Sequence, residues 1–323
     1  MEQITFTRFR FAQILGLTED ELVSADLRMR KNSDEQHPVR YQPNDLSVYR
    51  AELNLRPMAR PPRRQLFLNF KGGTGKTSLS TSYAYRLAEM GHRVLVIDLD
   101  SQGHASKCLG YETEDHEKTL FDVLVKRRPL SEVVIESPLK ELSFVPSNLR
   151  MSTVDLSLMP LNAREFRLRT ALDDLPQTYE FIIMDAPPSF GLLNLNAIVA
   201  ADDLFIPVIA DFLSFHGLKL LFETVSGIEQ DLQLLLDRIF VVINLYNPTT
   251  RIAREARLAL EKYYAEYLLK TVIRQCTKFA QASSEGHPIS VFDPTSKGAE
   301  DIERLIAEVL PLTLVAKQKE SRA

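Results

Sequence analysis

From residue 65 onward the chain alternates short, near-continuous apolar runs with longer mixed stretches. Gln65–Phe70 (QLFLNF), Arg93–Leu99 (RVLVIDL) and Phe181–Met184 (FIIM) read as buried strands. Leu204–Ile209, Ile239–Leu245 and Thr271–Ile273 supply further short apolar runs. Strands that are apolar on both faces belong in parallel sheets covered on both sides. Thr77–Met90 carries Leu79, Tyr83 and Leu87 at four-residue spacing, which is a helical stripe, and Gly91 supplies a left-handed stop. The pattern predicts an α/β fold, a mostly parallel sheet with helices on both faces. No internal repeat or low-complexity tract interrupts it.

The stretch before residue 65 has a different character. Residues 56–64 contain three prolines and four arginines, which favour an extended, solvated segment. We therefore expect a small, mostly helical unit over 1–55, a linker over 56–64 and the α/β domain over 65–323. Phe11–Leu22 has a helix–turn–helix rhythm: an apolar helix meets Gly16, then Thr18 stands at capping-box distance from Glu21. Pro38–Leu46 resembles the wing and following helix of MerR-like winged domains. Glu19, Asp20, Glu21 and Asp26 occupy positions where a DNA reader presents basic groups. Both a DNA reader and a structural or partner-docking module remain open.

Composition narrows the class. The chain has 323 residues, 45% hydrophobic and 25% charged, so it can bury a sizeable core without staples. Its two cysteines, Cys108 and Cys276, show no metal-ligand spacing, and a reducing compartment is the expectation. The first residues lack a signal-peptide pattern, and no apolar run of about 18 residues is present to span a membrane. A net charge of −4 argues against a strongly basic nucleic-acid binder. Residues 1–64 nevertheless hold 11 Lys+Arg against 9 Asp+Glu, so contacts to nucleic acid have to come from local patches.

The most informative stretch is Lys71-Gly72-Gly73-Thr74-Gly75-Lys76-Thr77-Ser78, between a predicted strand and a predicted helix. Glycines let the backbone curl so that successive N–H groups face phosphate oxygens, and the helix N-terminus adds its positive end. Lys76 suits the β- and γ-phosphates, and the Thr77 hydroxyl suits Mg²⁺. Two acidic signatures follow at strand ends, Asp98-Leu99-Asp100-Ser101-Gln102-Gly103 and Asp185. Ligands of open α/β sheets bind at that edge. Asp185 is the expected grip on the magnesium shell, Asp98 a support for its waters, and Asp100 the residue that orients the attacking water.

These motifs resemble those of the ParA/MinD ATPases. Lys71, at the head of the loop, resembles the extra lysine of their deviant Walker A motif. Asp98-x-Asp100-x-Gln102-Gly103 is similar to their second motif, and Phe181–Pro188 to their third. Phe292–Ala299 resembles a late motif near the adenine. The similarity extends over about residues 64–312. It implies ATP and Mg²⁺ as cofactors, and an ATP-bound sandwich homodimer in which Lys71 reaches the partner's phosphates. It also places Asn244 and Pro294 near the base. The short polar tail fits the ParA branch better than the membrane-binding MinD branch. Ser101 stands where the family has proline, and Phe70 where it has glutamine; both leave the charged groups in place.

The ParA branch further implies slow hydrolysis without a ParB-like or other activating partner. It implies non-specific binding to duplex DNA, and a cytoplasmic, nucleoid-associated protein that segregates chromosome, plasmid or protein cargo. Taking Thr250–Tyr267 as a helix, Arg251, Arg254 and Arg257 fall in one sector of about 120°, opposite Ile252, Ala256, Ala259 and Tyr263. Such a row fits a phosphate backbone, but with Glu255 and Glu261 beside it, it also fits an ordinary solvated face. The resemblance favours DNA and adds Lys278, with Lys270 and Arg274 as weaker candidates. An ATP-switched transcriptional regulator, reading DNA with the N-terminal module, is the alternative. A biosynthetic or metal-loading enzyme would need a substrate site or ligand cysteines that the sequence does not display.

Overall fold

The computed structural model describes residues 6–15, 17–29, 40–42, 45–55, 62–111, 118–175 and 179–313. Three helices come first: α1 (Arg8–Leu15), α2 (Glu19–Arg28) and α3 (Asp45–Glu52). Then follow β1 (Arg63–Phe67), α4 (Lys76–Glu89), β2 (Val94–Asp98), α5 (His104–Cys108) and α6 (Leu120–Lys126). The middle of the chain forms β3 (Ile135–Glu136), β4 (Leu142–Val145), α7 (Val154–Leu158), α8 (Arg167–Asp173), β5 (Phe181–Asp185) and α9 (Leu192–Ala200). The last third forms β6 (Asp203–Ile209), α10 (Phe212–Leu232), β7 (Arg238–Asn244), α11 (Arg251–Tyr263), α12 (Lys278–Ser284), α13 (Ile289–Phe292) and α14 (Lys297–Thr313).

The seven strands form one sheet in the order β3-β4-β2-β5-β1-β6-β7. All neighbours run parallel except β3 with β4. Along each strand alternate residues bury into opposite faces, as the pleat requires. Phe67, Val96, Ile183, Phe205 and Val242 enter one apolar layer, which α4 and α14 cover. Leu66, Leu68, Ile97, Met184, Ile206 and Ile243 enter the other, under α6–α11. Each such side chain contributes roughly 1.5–3 kcal/mol by leaving water. The expected double coverage is therefore present.

Several boundaries differ from the sequence reading. β1 begins at Arg63 and ends at Phe67, two residues earlier than expected at its start and three at its end. Arg63 and Arg64 therefore belong to the sheet and not to the linker. Acidic neighbours make this possible: Arg63 pairs with Asp203 and Asp237, and Arg64 with Asp173. Residues 56–61 of the linker, Gly16 between the first helices, Pro38, Val39, Pro43 and Asn44 of the suggested wing, and 314–323 of the tail lie outside the described residues. Thr271–Ile273 is no regular strand; it follows β7 only through scattered bonds such as Ile273 N to Ile243 O, 2.8 Å. β4 escaped the sequence reading because its four residues, LSFV, alternate weakly between Glu141 and Pro146.

The N-terminal unit has an aromatic centre. Phe11 stacks on Tyr41, Tyr49 meets both rings edge-on, and both tyrosine hydroxyls donate to buried Asp26. Thr18 caps α2 in a full capping box with Glu21, as its spacing predicted. Phe6 and Tyr41 exchange backbone bonds as an antiparallel bridge. This centre is continuous with the apolar layer beneath α4 and α14. The first helices are thus packed onto the α/β body.

Candidate active site

β1 delivers the chain into the glycine-rich turn, and α4 carries it away. Gly73 and Gly75 have φ of +72° and +80°, a region costly for side chains. Gly75 is doubly constrained, because a Cβ there would lie 2.2 Å from Asn244 Nδ2. That amide donates to Thr74 O at 2.7 Å, tying the end of β7 to the loop. Lys76 is buried, with Nζ donating back to Lys71 O at 3.2 Å; burial pulls its pKa down, opposed by Asp185 and Asp100. The buried Thr74 hydroxyl finds no protein partner among the described residues. A loop with spare donors, an ammonium and a helix N-terminus suits phosphate.

Asp185, at the end of β5, accepts Thr77 Oγ1 at 2.7 Å and Ser80 Oγ at 2.9 Å. Burial pushes its pKa up to about 6 against those bonds and the Lys76 charge. This hydroxyl and carboxylate set matches the oxygen preference of Mg²⁺, which takes one or two protein ligands beside substrate phosphates. Among the described residues no cluster of three or more His, Cys, Asp or Glu could hold a metal by itself. Asp98 lies beside Asp185 in register on β2. Its oxygens are occupied by Asp100 N at 3.0 Å, Ser106 N at 2.9 Å and Ser106 Oγ at 2.8 Å. Burial, then repulsion from Asp185, pushes Asp98 up to about 7. Asp98 thus builds the turn that presents Asp100. Asp100 is partly exposed on the same sheet edge; it accepts Gln102 N and lies 3.7 Å from His104 Nδ1.

Lys71 sits on the rim, its Nζ 2.8 Å from Asp211 Oδ2 at the N-cap of α10. Gly72 is exposed, and Ser78 is half-buried on the first turn of α4. Pro294 is exposed in the turn between α13 and α14, where Asp293 accepts Thr295 N at 3.2 Å. The sequence reading missed Ser80, Ser106 and Asp211. Ser80 was accessible, since it follows Thr77 by three residues and so shares its helix face.

A family model described as "AAA domain" matches residues 65–237. A cell division protein PomZ from Myxococcus xanthus is 57% identical over 316 residues, 98% of this chain and 96% of its own. The sporulation initiation inhibitor protein Soj of Bacillus subtilis is 35% identical over 241 residues, 75% of this chain and 95% of its own. Among solved structures, cobyrinic acid a,c-diamide synthase from Mycobacterium smegmatis, with bound ATP analog and magnesium, shares 26% identity at a TM-score of 0.65. That match covers 77% of this chain and 94% of the other. The chain belongs to the ParA/MinD family of P-loop ATPases. An alignment of 316 of the 323 residues also includes most of the N-terminal helices, which the likeness to Soj over 241 residues need not.

The candidate DNA residues are placed less simply. α11 ends at Tyr263, and its buried residues are Ala253, Ala256 and Leu260. Ile252 and Tyr263, expected on the hidden face, are 57% and 67% exposed. The helix lies on α10; Ala256 is buried as expected, and the rest of the contact falls at Ala253 and Leu260, one position on from Ile252 and Ala259. Arg251 and Arg254 are exposed, while Arg257 is partly buried over the Tyr246 ring; Arg251 pairs with Glu255 at 2.6 Å and Arg257 with Glu261 at 2.7 Å. Arg254 donates to Pro248 O and Thr249 O. Lys278 is half-exposed, with Nζ 4.0 Å from Asp293 and above the Phe292 ring. Arg274 is bound to Glu300 and Asp301, while Lys270 is exposed. Among the described residues no helix is long and apolar enough to cross a membrane.

Proposed function

We propose that the protein is an ATP-driven positioning ATPase: ATP closes a sandwich homodimer, the dimer binds duplex DNA without sequence preference, and a partner protein triggers hydrolysis and release. The observation that carries this reading is the rim position of Lys71, held by a single half-exposed ion pair while Lys76 lies buried inside the loop. A cation so placed can leave Asp211 for the phosphates of a second protomer. Lys76 and the loop N–H groups bind the phosphates, and Thr77, Ser80 and Asp185 hold the magnesium shell. Magnesium supplies neutralising charge at the β- and γ-phosphates. Asp100 orients the attacking water, and Asp98 fixes Asp100 through its backbone. Asn244, already on the loop, and Pro294 border the base.

The outward arginines of α11, with Lys278, form the DNA face. Surface intrahelical pairs with glutamate are weak and screened by solvent, so phosphates can displace them. The similarity to a cell division protein supports a division-related protein assembly as the cargo. The transcriptional alternative is disfavoured by the exposed, acidic first turn of α2, Glu19, Asp20 and Glu21. The test is analytical ultracentrifugation with a slowly hydrolysed ATP analogue and with ADP. A dimer in the analogue alone is expected; a monomer in both would refute the reading.

A further inference from the structure

The phosphate loop opens α4, and the first helices of the chain meet the other end of that helix. Glu89, the last residue of α4, is completely buried, and a carboxylate there opposes the helix dipole. Its nearest counter-charge is Arg86 of α4 itself, and the first helices add to it. Arg10 of α1 approaches Glu89 at 3.6 Å and Glu303 of α14 at 2.9 Å. Arg86 closes the ring, at 3.2 Å from Glu89 and 3.0 Å from Glu303. Arg50 of α3 is 3% exposed and donates to the terminal carbonyl of Glu89 at 2.6 Å, capping the helix from the N-terminal unit. Glu141 and Glu180 also act on its charge. Gly91, with φ of +93°, is the seat of this contact, since a Cβ there would fall 1.9 Å from Arg50 Cζ.

The 14 residues of α4 span about 21 Å at about 1.5 Å per residue. Lys76, Thr77 and Ser80 occupy one end and Glu89 the other. A helix held at both ends moves as a rigid body, so tilting or fraying its trailing end displaces the groups that meet phosphate and magnesium. We propose that Arg10 and Arg50 are positioning residues for the phosphate loop, and that the N-terminal unit is an internal effector of the nucleotide site, coupled to it through α4. This rests on the ATPase reading. The coupling is reciprocal: a nucleotide that fixes α4 also tightens the seat of α1 and α3, and any ligand that lifts them loosens nucleotide.

Two measurements on the full chain test this. In the parent protein, hydrogen exchange over Arg8–Leu15 and Asp45–Glu52 should slow when a fluorescent, slowly hydrolysed ATP analogue saturates the site. Unchanged exchange there, with the analogue bound, overturns the proposal. Second, Arg50→Gln and Gly91→Ala should each weaken analogue binding about tenfold, within the range usual for coupled sites. Arg50→Lys, which keeps a donor and a charge, should recover part of that loss. If Arg50→Gln and Gly91→Ala free the amides of α1 and α3 yet bind the analogue like the parent, the coupling is absent. Should either variant fail to fold, exchange in the parent decides alone. A parent that binds no nucleotide sinks the ATPase reading instead, so the two failures are distinct.

Discussion

Lys71 Nζ lies 2.8 Å from Asp211 Oδ2, so the lysine at the head of the loop is held within its own chain. Asp211 also caps α10 by accepting Ser214 N at 2.7 Å. Asp211→Asn keeps a capping oxygen but loses the charge that retains Lys71. Both partners are about one-third exposed, so the pair contributes little, on the order of 0.5 kcal/mol. ATP-dependent dimerisation, followed by light scattering, should strengthen about twofold in this variant and collapse in Lys71→Ala. Equal dimerisation by Lys71→Ala and the parent would sink the cross-interface role.

The two lysines of the loop should separate. Lys76→Ala removes a buried ammonium from the phosphate site and should weaken ATP binding by roughly tenfold to a hundredfold, the scale of charge-assisted bonds. Lys71→Ala should spare binding to the monomer. Asp100→Ala should bind ATP and dimerise, yet lose at least about a hundredfold in turnover, the usual worth of a positioned acid or base. Parental turnover in Asp100→Ala would remove Asp100 from that role.

The carboxylates of β2 and β5 carry a pH signature. Asp98 is pushed up to about 7 and Asp185 up to about 6, so in that range the folded protein holds more protons than the unfolded chain. Their contribution to stability is therefore present at low pH and is lost as pH rises through 6 and 7, when buried carboxylates ionise. Magnesium needs the ionised form, so its apparent affinity with nucleotide should fall as pH drops from about 8 to 6. Thermal melting without Mg²⁺ or nucleotide should show a lower Tm at about pH 8 than at about pH 5 from this pair. Asp98→Asn should shrink that difference; an undiminished difference would contradict the assignment.

Much of this was legible in the sequence because single segments carry it. The loop Lys71–Ser78, the strand ends Asp98 and Asp185, and the apolar runs flanking them each announce a local structure. The partnerships were not legible. Asp211 lies 140 residues from Lys71, and nothing local marks it as that lysine's counterion. Arg63 looked like linker because its charge was visible and the distant Asp203 that neutralises it was not. Asp98 is legible as an acidic strand end, but its partner Ser106, eight residues on, is not. The α11 helix was recognisable, but its buried side depends on where α10 lies, which periodicity alone does not fix.

Arg251, Arg254 and Arg257 should carry the DNA contact. Reversing all three to glutamate should abolish DNA binding and leave DNA-free ATP turnover nearly intact. The structure adds a converse test: Glu255→Gln with Glu261→Gln frees Arg251, loosens Arg257, which keeps its contact over the Tyr246 ring, and should raise DNA affinity. A triple reversal that still binds DNA, together with a double glutamine variant that binds no better, would move the contact elsewhere. Deleting the first 60 residues is a poor control, because it uncovers the apolar layer shared with α4 and α14.

The central claim is that ATP assembles the DNA-binding form. Fluorescence anisotropy of labelled duplexes of unrelated sequence, titrated with the protein in the slowly hydrolysed ATP analogue or in ADP, tests it most directly. The account expects equal affinity for every duplex in the analogue, a steep loss with salt as phosphate contacts release counterions, and little binding in ADP. Equal binding in ADP, or a marked preference for one sequence, would contradict it.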